Sequence, residues 1–377
     1  MTRLGNGEGT IFRRSDGRWV GEVYVLQPNG GRVRKTVYGR SREAVAGKIR
    51  VLLSQVASGI PMGSSWTVEA YAQYWLDNIG AETLRPSTFS SYRWILTRYV
   101  LPQVGKVKLS TLTPPHVRKM LAALAAQGLS AGSRRIAHAV LRSVLAEAVR
   151  EELVDRNVAT LVRQRQEHRA EVKPWSAGEA TQFLKASRND RLSALFVVGV
   201  AMGLRRGELI GLRWDDIDLD ESQLRVQRSV SRIPGVGFVA GPPKSARSRR
   251  TLPLPVFCAE ALHSHKARQA EERLRLGSRW EDCGYVFTST TGSALDPTRL
   301  ARIFQALTEH AGVRRIRLHD MRHTCASLLL AQQVPPRVVM EILGHSQLSM
   351  TMDLYSHVMP TALTDAATAV QRALDGY

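Results

Sequence analysis

The sequence predicts a multidomain chain with three parts: a three-stranded sheet with one helix over residues 1–60, an all-helical domain over residues 66–165, and a mixed, mainly helical domain with a small sheet over residues 172–377. Two observations place the boundaries. Residues 58–65 have the Gly-, Pro- and Ser-rich composition of a linker, and residues 164–173 turn polar and charged. A third observation distinguishes the sheet from the helical parts of the chain. Apolar residues alternate near the amino terminus, as in strands, and recur at helical spacing over most of the other residues.

The first forty residues predict three short strands separated by glycine-containing turns. The strands are Thr10–Arg14, Trp19–Leu26 and Arg32–Tyr38. A helix capped by Ser41 follows, and the alternation in the second strand leaves open which face of the sheet meets solvent. A basic sheet can sit in a DNA groove. The basic residues that crowd the strands are therefore candidate DNA contacts: Arg13, Arg14, Arg18, Arg32, Arg34 and Lys35.

The second domain has apolar residues at the spacing of four helices, and Pro115 suits the first turn of the third. Its apolar stripe, which includes Ile136 in the fourth helix, is expected to form the core. The opposite, polar faces carry the candidate DNA contacts: Arg93, Thr97, Arg134, Arg135 and Arg142.

The third domain begins with a capping-box pattern, Ser176-x-x-Glu179, which starts a helix. The segment Ala194–Ala201 is apolar on every side, which predicts a buried helix. Two strands are predicted beyond it, Leu224–Val230 and Arg250–Leu254, and helical patterns then continue to the carboxyl end.

The charge of the chain points to a polyanionic partner. The 377 residues carry 53 Lys and Arg against 33 Asp and Glu, a formal net charge of +20. Residues 1–60 and 66–165 each contribute +7 and the rest of the chain +6. Charge spread over three segments suggests a chain that lies along or wraps a duplex, with affinity that falls steeply as salt rises.

Composition excludes several other classes of protein. An apolar fraction of 44% excludes disorder. No run of eighteen apolar residues and no secretory signal pattern is present, so we expect a soluble, cytoplasmic protein without a membrane partner. The three cysteines lack C-x-x-C spacing, which favours reduced structural thiols over a disulfide framework or a zinc site.

Four short stretches of the third domain hold most of its reactive side chains. Arg205 follows a buried helix and a glycine, and Glu208, three residues later, can hold its guanidinium in one orientation. His319 and Arg322 share the same spacing, which on a helix suits two groups that converge on one phosphate. The four stretches are Gly203–Leu209, Pro243–Ser245, His319–His323 and Leu343–Tyr355.

Two patterns imitate metal sites. His319 and His323 have the spacing of a zinc-protease helix, but Asp320 stands where the catalytic Glu should be. The alternating aspartates of residues 216–220 start like a calcium loop, yet Glu221 stands where a glycine is required. A metal-dependent nuclease could use these carboxylates, although their pattern is that of a surface turn before a strand. The chain also lacks a nucleotide-binding G-x-x-x-x-G-K-[ST] motif, so we expect neither a metal nor a cofactor.

Together these motifs make residues 172–360 resemble the catalytic domain of the tyrosine site-specific recombinases, the phage-integrase family. Residues 66–165 resemble the core-type DNA-binding domain of that family, and residues 1–60 its arm-site-binding domain. The resemblance implies double-stranded DNA with core and arm attachment sites as the partner, a homotetramer on DNA, and an excision factor or DNA-bending protein as a candidate accessory.

The resemblance also implies a role for individual residues, and only the family spacing selects Arg205 over its neighbour Arg206. Arg205 is the first catalytic arginine, Lys244 the hairpin lysine, His319 and Arg322 the H-x-x-R pair, His345 the second histidine, Tyr355 the nucleophile and Glu208 a supporting acid.

This chemistry is physically coherent. A phosphodiester resists attack because it is anionic, and two arginines can neutralise its nonbridging oxygens in place of a metal. A free phenol has a pKa near 10, so an unaided phenolate costs about 4 kcal/mol at neutral pH. Neighbouring cations can remove much of that cost, after which Tyr355 forms a covalent phosphotyrosine while Lys244 protonates the departing oxygen.

The sequence therefore predicts an integrase that cuts and rejoins DNA through a Holliday junction, to integrate or excise a mobile element. A catalytically silent DNA-binding regulator and a type IB topoisomerase-like relaxase are the alternatives. Residues 361–377 predict an amphipathic helix, which in the family often docks on a neighbouring protomer.

Overall fold

The computed structural model describes residues 10–15, 17–26, 32–57, 66–164, 173–243, 248–344, 368 and 370–374. Contacts within the chain divide it into two compact units, Met1–His168 and Arg169–Tyr377. The predicted site residues Lys244, His345 and Tyr355 lie outside the described residues. Among the helices that the structure describes, none is both long and apolar enough to cross a bilayer.

The first unit begins with the predicted sheet and helix. Three antiparallel strands lie in sequential order: β1 (Thr10–Arg13), β2 (Trp19–Leu26) and β3 (Arg32–Gly39). Helix α1 (Arg42–Ala57) follows, and Ser41 Oγ accepts a 3.1 Å hydrogen bond from the Ala44 main-chain N–H. The predicted strands and cap are confirmed, with ends that differ by one residue.

Helix α1 covers one face of this sheet at Gly21. A Cβ atom at Gly21 would lie 2.5 Å from Ile49 Cδ1 and 2.6 Å from Val45 Cγ1, so only a glycine lets the helix pack this closely. The opposite face is open and combines aromatic with basic side chains. Its exposed aromatic and basic members are Phe12, Tyr24, Arg34 and Tyr38, and Thr10 and Thr36 are exposed beside them.

Six α-helices follow within residues 66–164: α2 (Val68–Trp75), α3 (Ala81–Thr83), α4 (Pro86–Ile95), α5 (Leu101–Val104), α6 (Pro114–Ala126) and α7 (Ala131–Arg150). The π-helical segment Leu76–Gly80 joins α2 to α3, and a second one, Leu96–Val100, joins α4 to α5. The predicted set of four helices is therefore confirmed, since each joined pair is one helix with an irregular middle.

The core prediction for α7 was wrong at Ile136, whose side chain is 53% exposed. The buried stripe of this helix is centred on Ala137, Leu141 and Ala148, which are fully buried. Successive residues of a helix turn by about 100°, so Ile136 lies at the rim of that stripe.

The described part of the second unit is mainly helical with two small sheets. Its helices are α8 (Ala177–Ala186), α9 (Ser193–Met202), α10 (Arg206–Ile210), α11 (Val256–Leu276), α12 (Pro297–His310), α13 (Met321–Ala331) and α14 (Pro336–Leu343). Ser176 and Glu179 form the predicted capping box of α8, and α9 is buried as expected. The predicted fold class is confirmed.

The strands of this unit differ from the prediction. They are β4 (Ile217–Asp218), β5 (Gln223–Val226), β6 (Ser229–Ile233), β7 (Gly237–Gly241) and β8 (Arg250–Pro253). Strands β4, β5 and β8 form one antiparallel sheet, and β6 and β7 form a separate hairpin. The single predicted strand Leu224–Val230 is broken because Arg228 pairs with the carboxylate of Asp216. Asp216 is 2% exposed, so the expected surface turn is buried at that residue.

Candidate active site

Arg205 lies between α9 and α10, at the point where the chain reverses. Gly203 ends α9 in the left-handed conformation, with a φ of +59°. Arg205 Nη1 donates a 2.7 Å hydrogen bond to Glu208 Oε1, and its main-chain N–H donates to Oε2 at 3.0 Å. The predicted pairing of Arg205 with Glu208 is therefore present in the structure.

Glu208 is buried and ionised. Glu208 is 2% exposed. Desolvation by the surrounding protein acts to raise the pKa of its carboxyl group. The charge of Arg250 and the hydrogen bonds from Arg205 outweigh desolvation, so the pKa lies below its ordinary value. A buried carboxylate that stays charged can orient both cations.

Arg250 is a member of the site that the sequence prediction missed. Its side chain is 7% exposed, and Nη2 lies 3.2 Å from Glu208 Oε2. A signal was present, because alternate residues of a strand share a face and Arg250 alternates with the buried Leu252. The basic run before the strand concealed that signal, since runs of charge usually face solvent.

Arg322 completes the cluster from the first turn of α13. It is 4% exposed, and Nη1 donates a 2.8 Å hydrogen bond to the Gly203 carbonyl. The buried Nη2 has no hydrogen-bond partner within the described parts of the chain. Burial, together with the charges of Arg205 and Arg250, lowers the pKa of the Arg322 guanidinium to about 9. The charge of Glu208 offsets only part of this lowering.

His319 lies in a 3₁₀ turn, Leu318–Asp320, rather than in the helix that was expected to carry it. Its side chain reaches the surface. Its ring meets that of His323 edge-on, with 5.8 Å between centroids. Desolvation by the surrounding protein lowers the pKa of His319, and the charges of His323 and Arg322 lower it further. The imidazole is therefore neutral at pH 7.

The acidic residue of the zinc-like motif is engaged elsewhere. Asp320 accepts hydrogen bonds from Arg317 Nε at 3.0 Å and from Arg317 Nη2 at 2.9 Å. More generally, in the described ranges no group of three His, Cys, Asp or Glu side chains is placed to hold a metal ion.

The end of α14 closes the site on another side. Gly344 ends this helix with a φ of +64°. Arg205 Nη2 donates to the Gly344 carbonyl at 2.7 Å, and Arg250 Nε donates to the Ile342 carbonyl at 2.6 Å. His345 is the next residue in the chain. Three arginines and one glutamate thus form a cluster with an excess of positive charge, buried except at the partly exposed Arg205, which suits a phosphodiester.

The predicted DNA contacts of the first unit mostly lie at its surface. Arg34 pairs with Glu22, and the Arg93 guanidinium lies 4.6 Å from the centroid of the Phe89 ring. The side chains of Arg32 and Lys35 lie outside the described atoms. Exposed members of the predicted set are Arg13, Arg14, Arg18, Arg34, Arg93, Thr97, Arg135 and Arg142, and Arg134 is half-buried.

Comparison with known proteins identifies the family. A model described as the phage integrase family matches residues 176–361, and one described as the phage integrase N-terminal SAM-like domain matches residues 67–125. An integrase of Streptomyces ambofaciens is 31% identical over 366 residues, which cover 93% of this chain and 92% of that protein. The chain belongs to the phage integrase family. A tyrosine recombinase XerC-like protein of Caldanaerobacter subterraneus is 29% identical, over 90% of this chain and 91% of the relative.

Solved structures show the same integrase fold. The Tn1549 transposon integrase, residues 82–397, in complex with a circular intermediate DNA has a TM-score of 0.67 and 18% identity, over 82% of this chain and 100% of that one. A lambda integrase tetramer bound to a Holliday junction has a TM-score of 0.57 and 17% identity, over 93% of this chain and 96% of that one. The resemblance found in the sequence is confirmed, and this integrase is an enzyme of the tyrosine recombinase class.

Proposed function

We propose that this integrase cuts and rejoins double-stranded DNA through a covalent phosphotyrosine and a Holliday junction, and so integrates or excises a mobile element. The observation that carries the proposal is the buried arginine cluster, in which Arg322 Nη2 is left without a hydrogen-bond partner among the described residues. The phosphodiester of a bound duplex supplies the missing anion. The named relatives support the biological setting, since they include integrases of mycobacterial phages L5 and D29.

Arg205 and Arg322 bind the nonbridging oxygens of the scissile phosphate. Glu208 fixes the Arg205 guanidinium, so little reorganisation is needed as negative charge grows in the transition state. The low exposure of Arg322 strengthens each contact, because charges interact more strongly where water is excluded.

Tyr355 acts as the nucleophile. Its phenolic oxygen attacks phosphorus, the bond from phosphorus to the deoxyribose oxygen breaks, and Lys244 donates the proton that this oxygen takes up. His319, which is neutral, takes up the proton of the phenol, and His345 assists at the phosphate. When the hydroxyl of another strand attacks the phosphotyrosine, the phosphodiester is restored and the tyrosine is released, which requires no metal or ATP.

Three domains divide the binding of DNA: residues 1–60 hold arm sites, and residues 66–165 and 172–377 grip the core site. The open face of the β1–β2–β3 sheet supports the first assignment, because exposed Phe12, Tyr24 and Tyr38 lie there with Arg34. The active assembly is a homotetramer on DNA, with an excision factor or a DNA-bending protein as a candidate accessory, in the cytoplasm of a bacterial host.

A nicked suicide duplex that carries the crossover sequence of the element tests this function. Wild-type protein is expected to trap a protein–DNA adduct, and Tyr355→Phe to trap none. Tyr377→Phe is the matched control and is expected to react normally. Equal adducts from wild type and Tyr355→Phe would eliminate the mechanism, and no adduct from wild type would favour the silent regulator. Relaxation of supercoiled DNA without exchange between two core sites would favour the topoisomerase-like alternative.

A further inference from the structure

Arg250 reaches three separate segments of the second unit. Its Nη2 lies 3.2 Å from Glu208 Oε2, its Nε donates to the Ile342 carbonyl at 2.6 Å, and its Nη1 donates to the Ser248 carbonyl at 3.0 Å. With 7% of the side chain exposed, the guanidinium is enclosed by protein. All three acceptors belong to the chain, so three of the five N–H donors of Arg250 bind protein groups.

The first acceptor links Arg250 to a residue that binds phosphate in the proposed function. Glu208 also accepts from Arg205 Nη1 at 2.7 Å, so one carboxylate lies between two guanidiniums. The Glu208 carboxylate is held in one orientation when both arginines bind it. If only Arg205 bound it, the carboxylate and the Arg205 guanidinium could turn together. Arg250 therefore helps to fix the direction in which Arg205 points, together with the bonds from Arg205 to Ser248 Oγ and to the Gly344 carbonyl.

The second acceptor lies at the end of α14. The last carbonyls of a helix have no partner within it and carry a partial negative charge. Arg250 bonds to the Ile342 carbonyl and Arg205 to the Gly344 carbonyl, so the two arginines together cap this helix. In the chain, His345 follows directly, and Ser248 follows the segment 244–247 that contains Lys244. Arg250 thus bonds beside two stretches that hold predicted catalytic residues.

We propose that Arg250 is a positioning residue for DNA strand cleavage, which holds Glu208 against Arg205 and fixes the end of α14 without touching the scissile phosphate. The proposal rests on the proposed recombinase function. An arginine supplies several donors in one rigid plane, whereas a lysine supplies a compact charge on a flexible stem. Arg250→Lys therefore keeps the cation and loses the three-way geometry.

Arg191 offers a matched control within the same unit. Its Nε and Nη2 hold the Glu272 carboxylate at 2.7 and 2.6 Å, and it donates to the carbonyls of Thr288 and Ser289 at 2.6 and 2.9 Å. Like Arg250, it joins a carboxylate to two main-chain carbonyls. Arg191→Lys removes the same kinds of contact from a region that the proposed mechanism does not use.

Three quantities separate positioning from stability: the thermal midpoint, the Kd for an intact core duplex, and the single-turnover rate of adduct formation on the suicide duplex at saturating protein. Both variants are expected to have similar thermal midpoints and a Kd within about twofold of wild type. Arg250→Lys is expected to form the adduct about 100-fold more slowly, since small misplacements cost that much, and Arg191→Lys at the wild-type rate.

Two results would overturn the role of Arg250 alone. Equal adduct rates for the two variants would make Arg250 merely structural. A weakened Kd with an unchanged rate at saturation would make it a DNA contact. A wild-type protein that forms no adduct would instead overturn the proposed function, and this inference with it.

Glu208→Gln keeps the test valid if Arg250→Lys fails to fold. It preserves the shape of the side chain and removes the charge through which Arg250 acts on Arg205, so a comparable loss of rate with normal DNA binding is expected. An unchanged rate would contradict the proposal. Where Arg250→Lys and Glu208→Gln both fold, the variant that carries both substitutions is expected to form the adduct no more slowly than the slower single variant, because both substitutions act through one contact. If the two losses of rate multiplied in the double variant, Arg250 and Glu208 would have independent roles.

Discussion

The guanidinium of Arg322 donates a 2.8 Å hydrogen bond to the carbonyl of Gly203, which joins the first turn of α13 to the end of α9. Gly203 has a φ of +59°, and a Cβ atom there would overlap Leu343 Cδ2 and lie 3.1 Å from Cys325 Sγ. Three helices therefore meet at a residue without a side chain. This corner brings Arg205 and Arg322 to one side of the core.

Gly203→Ala is expected to destabilise the second unit by about 3 kcal/mol. The left-handed backbone costs about 1–2 kcal/mol for a residue with a Cβ, and overpacking against Leu343 and Cys325 adds about 1–3 kcal/mol. Urea denaturation of the full chain measures the loss. Gly235→Ala is the control, because its φ is +79° but no atom lies within 4 Å of the added Cβ. Equal losses for the two variants would show that the packing at Gly203 contributes nothing.

Arg322→Met is expected to raise the free energy of unfolding by about 1–3 kcal/mol while it abolishes adduct formation. The wild-type cation is 4% exposed, and Nη2 has no partner in the described part of the chain, so its burial is only partly compensated until phosphate binds. Replacing buried charges by apolar side chains often stabilises a protein. Thermal denaturation at pH 7 and the suicide duplex measure the two effects, and a lower thermal midpoint for Arg322→Met would contradict the prediction.

The difference in the free energy of unfolding between Arg322→Met and wild type is expected to depend on pH, because the pKa of Arg322 is lowered. The folded state releases the proton near pH 9, well below the pH at which the unfolded chain releases it. The folded state therefore binds fewer protons between these values, and wild-type stability gains with pH in that window. The advantage of Arg322→Met is expected to be full below pH 9 and to shrink as the pH rises above it. A constant difference between pH 7 and 10 would refute the charge explanation.

The sequence predicted those elements whose stabilising contacts join residues that are close together in the chain. The Ser176–Glu179 capping box lies within four residues, and the buried helix α9 is apolar on every side, so both were visible in the sequence. The fit of Gly21 under α1 needed the packed structure, because the contact with Ile49 joins residues far apart in the chain. The break before β6 also depends on a contact in the packed structure, because Arg228 pairs with Asp216 instead of continuing the strand.

The candidate site was predictable where residue type alone marks function. Arg205 and Glu208 are close in the sequence, and their pairing follows from helical spacing. Arg250 lies 42 residues beyond Glu208, and no local rule relates the two. Its role arises from the sheet, which turns a member of a basic run towards a buried carboxylate.

A cavity of about 270 Å³ in the first unit carries a prediction about core DNA. Arg118, Arg134 and Arg163 line it with Gln164, and none of its described lining residues is acidic. Guanidiniums gathered around one opening favour a polyanion, and a backbone phosphate is the anion that a duplex offers. Arg118→Ala and Arg163→Ala are each expected to weaken core binding and to lower the slope of log K against log salt by about one.

Fluorescence anisotropy over a salt series measures that slope. Arg150→Ala is the matched control, because its guanidinium is 73% exposed and already pairs with Glu147 at 2.6 Å. This control is expected to keep the wild-type slope. If Arg118→Ala and Arg163→Ala also kept it, the cavity would make no phosphate contact.

The carboxyl-terminal segment carries the last prediction, which concerns assembly. Val370 and Leu374 are 59% and 62% exposed and lie four residues apart, so they form an uncovered apolar stripe in the single chain. We expect a neighbouring protomer to cover it in the active assembly.

The variant that carries both Val370→Ser and Leu374→Ser, like a deletion of residues 362–377, is expected to abolish the complex of two duplexes. The Kd for a single core site is expected to stay within about twofold of wild type, and native gel electrophoresis measures both. Gln371→Ser, on the same turn but with a polar side chain, is the control and is expected to assemble normally. Recombination at the wild-type rate by the truncated protein would refute docking in trans, because exchange between two duplexes requires protomers that stay together while both are cut.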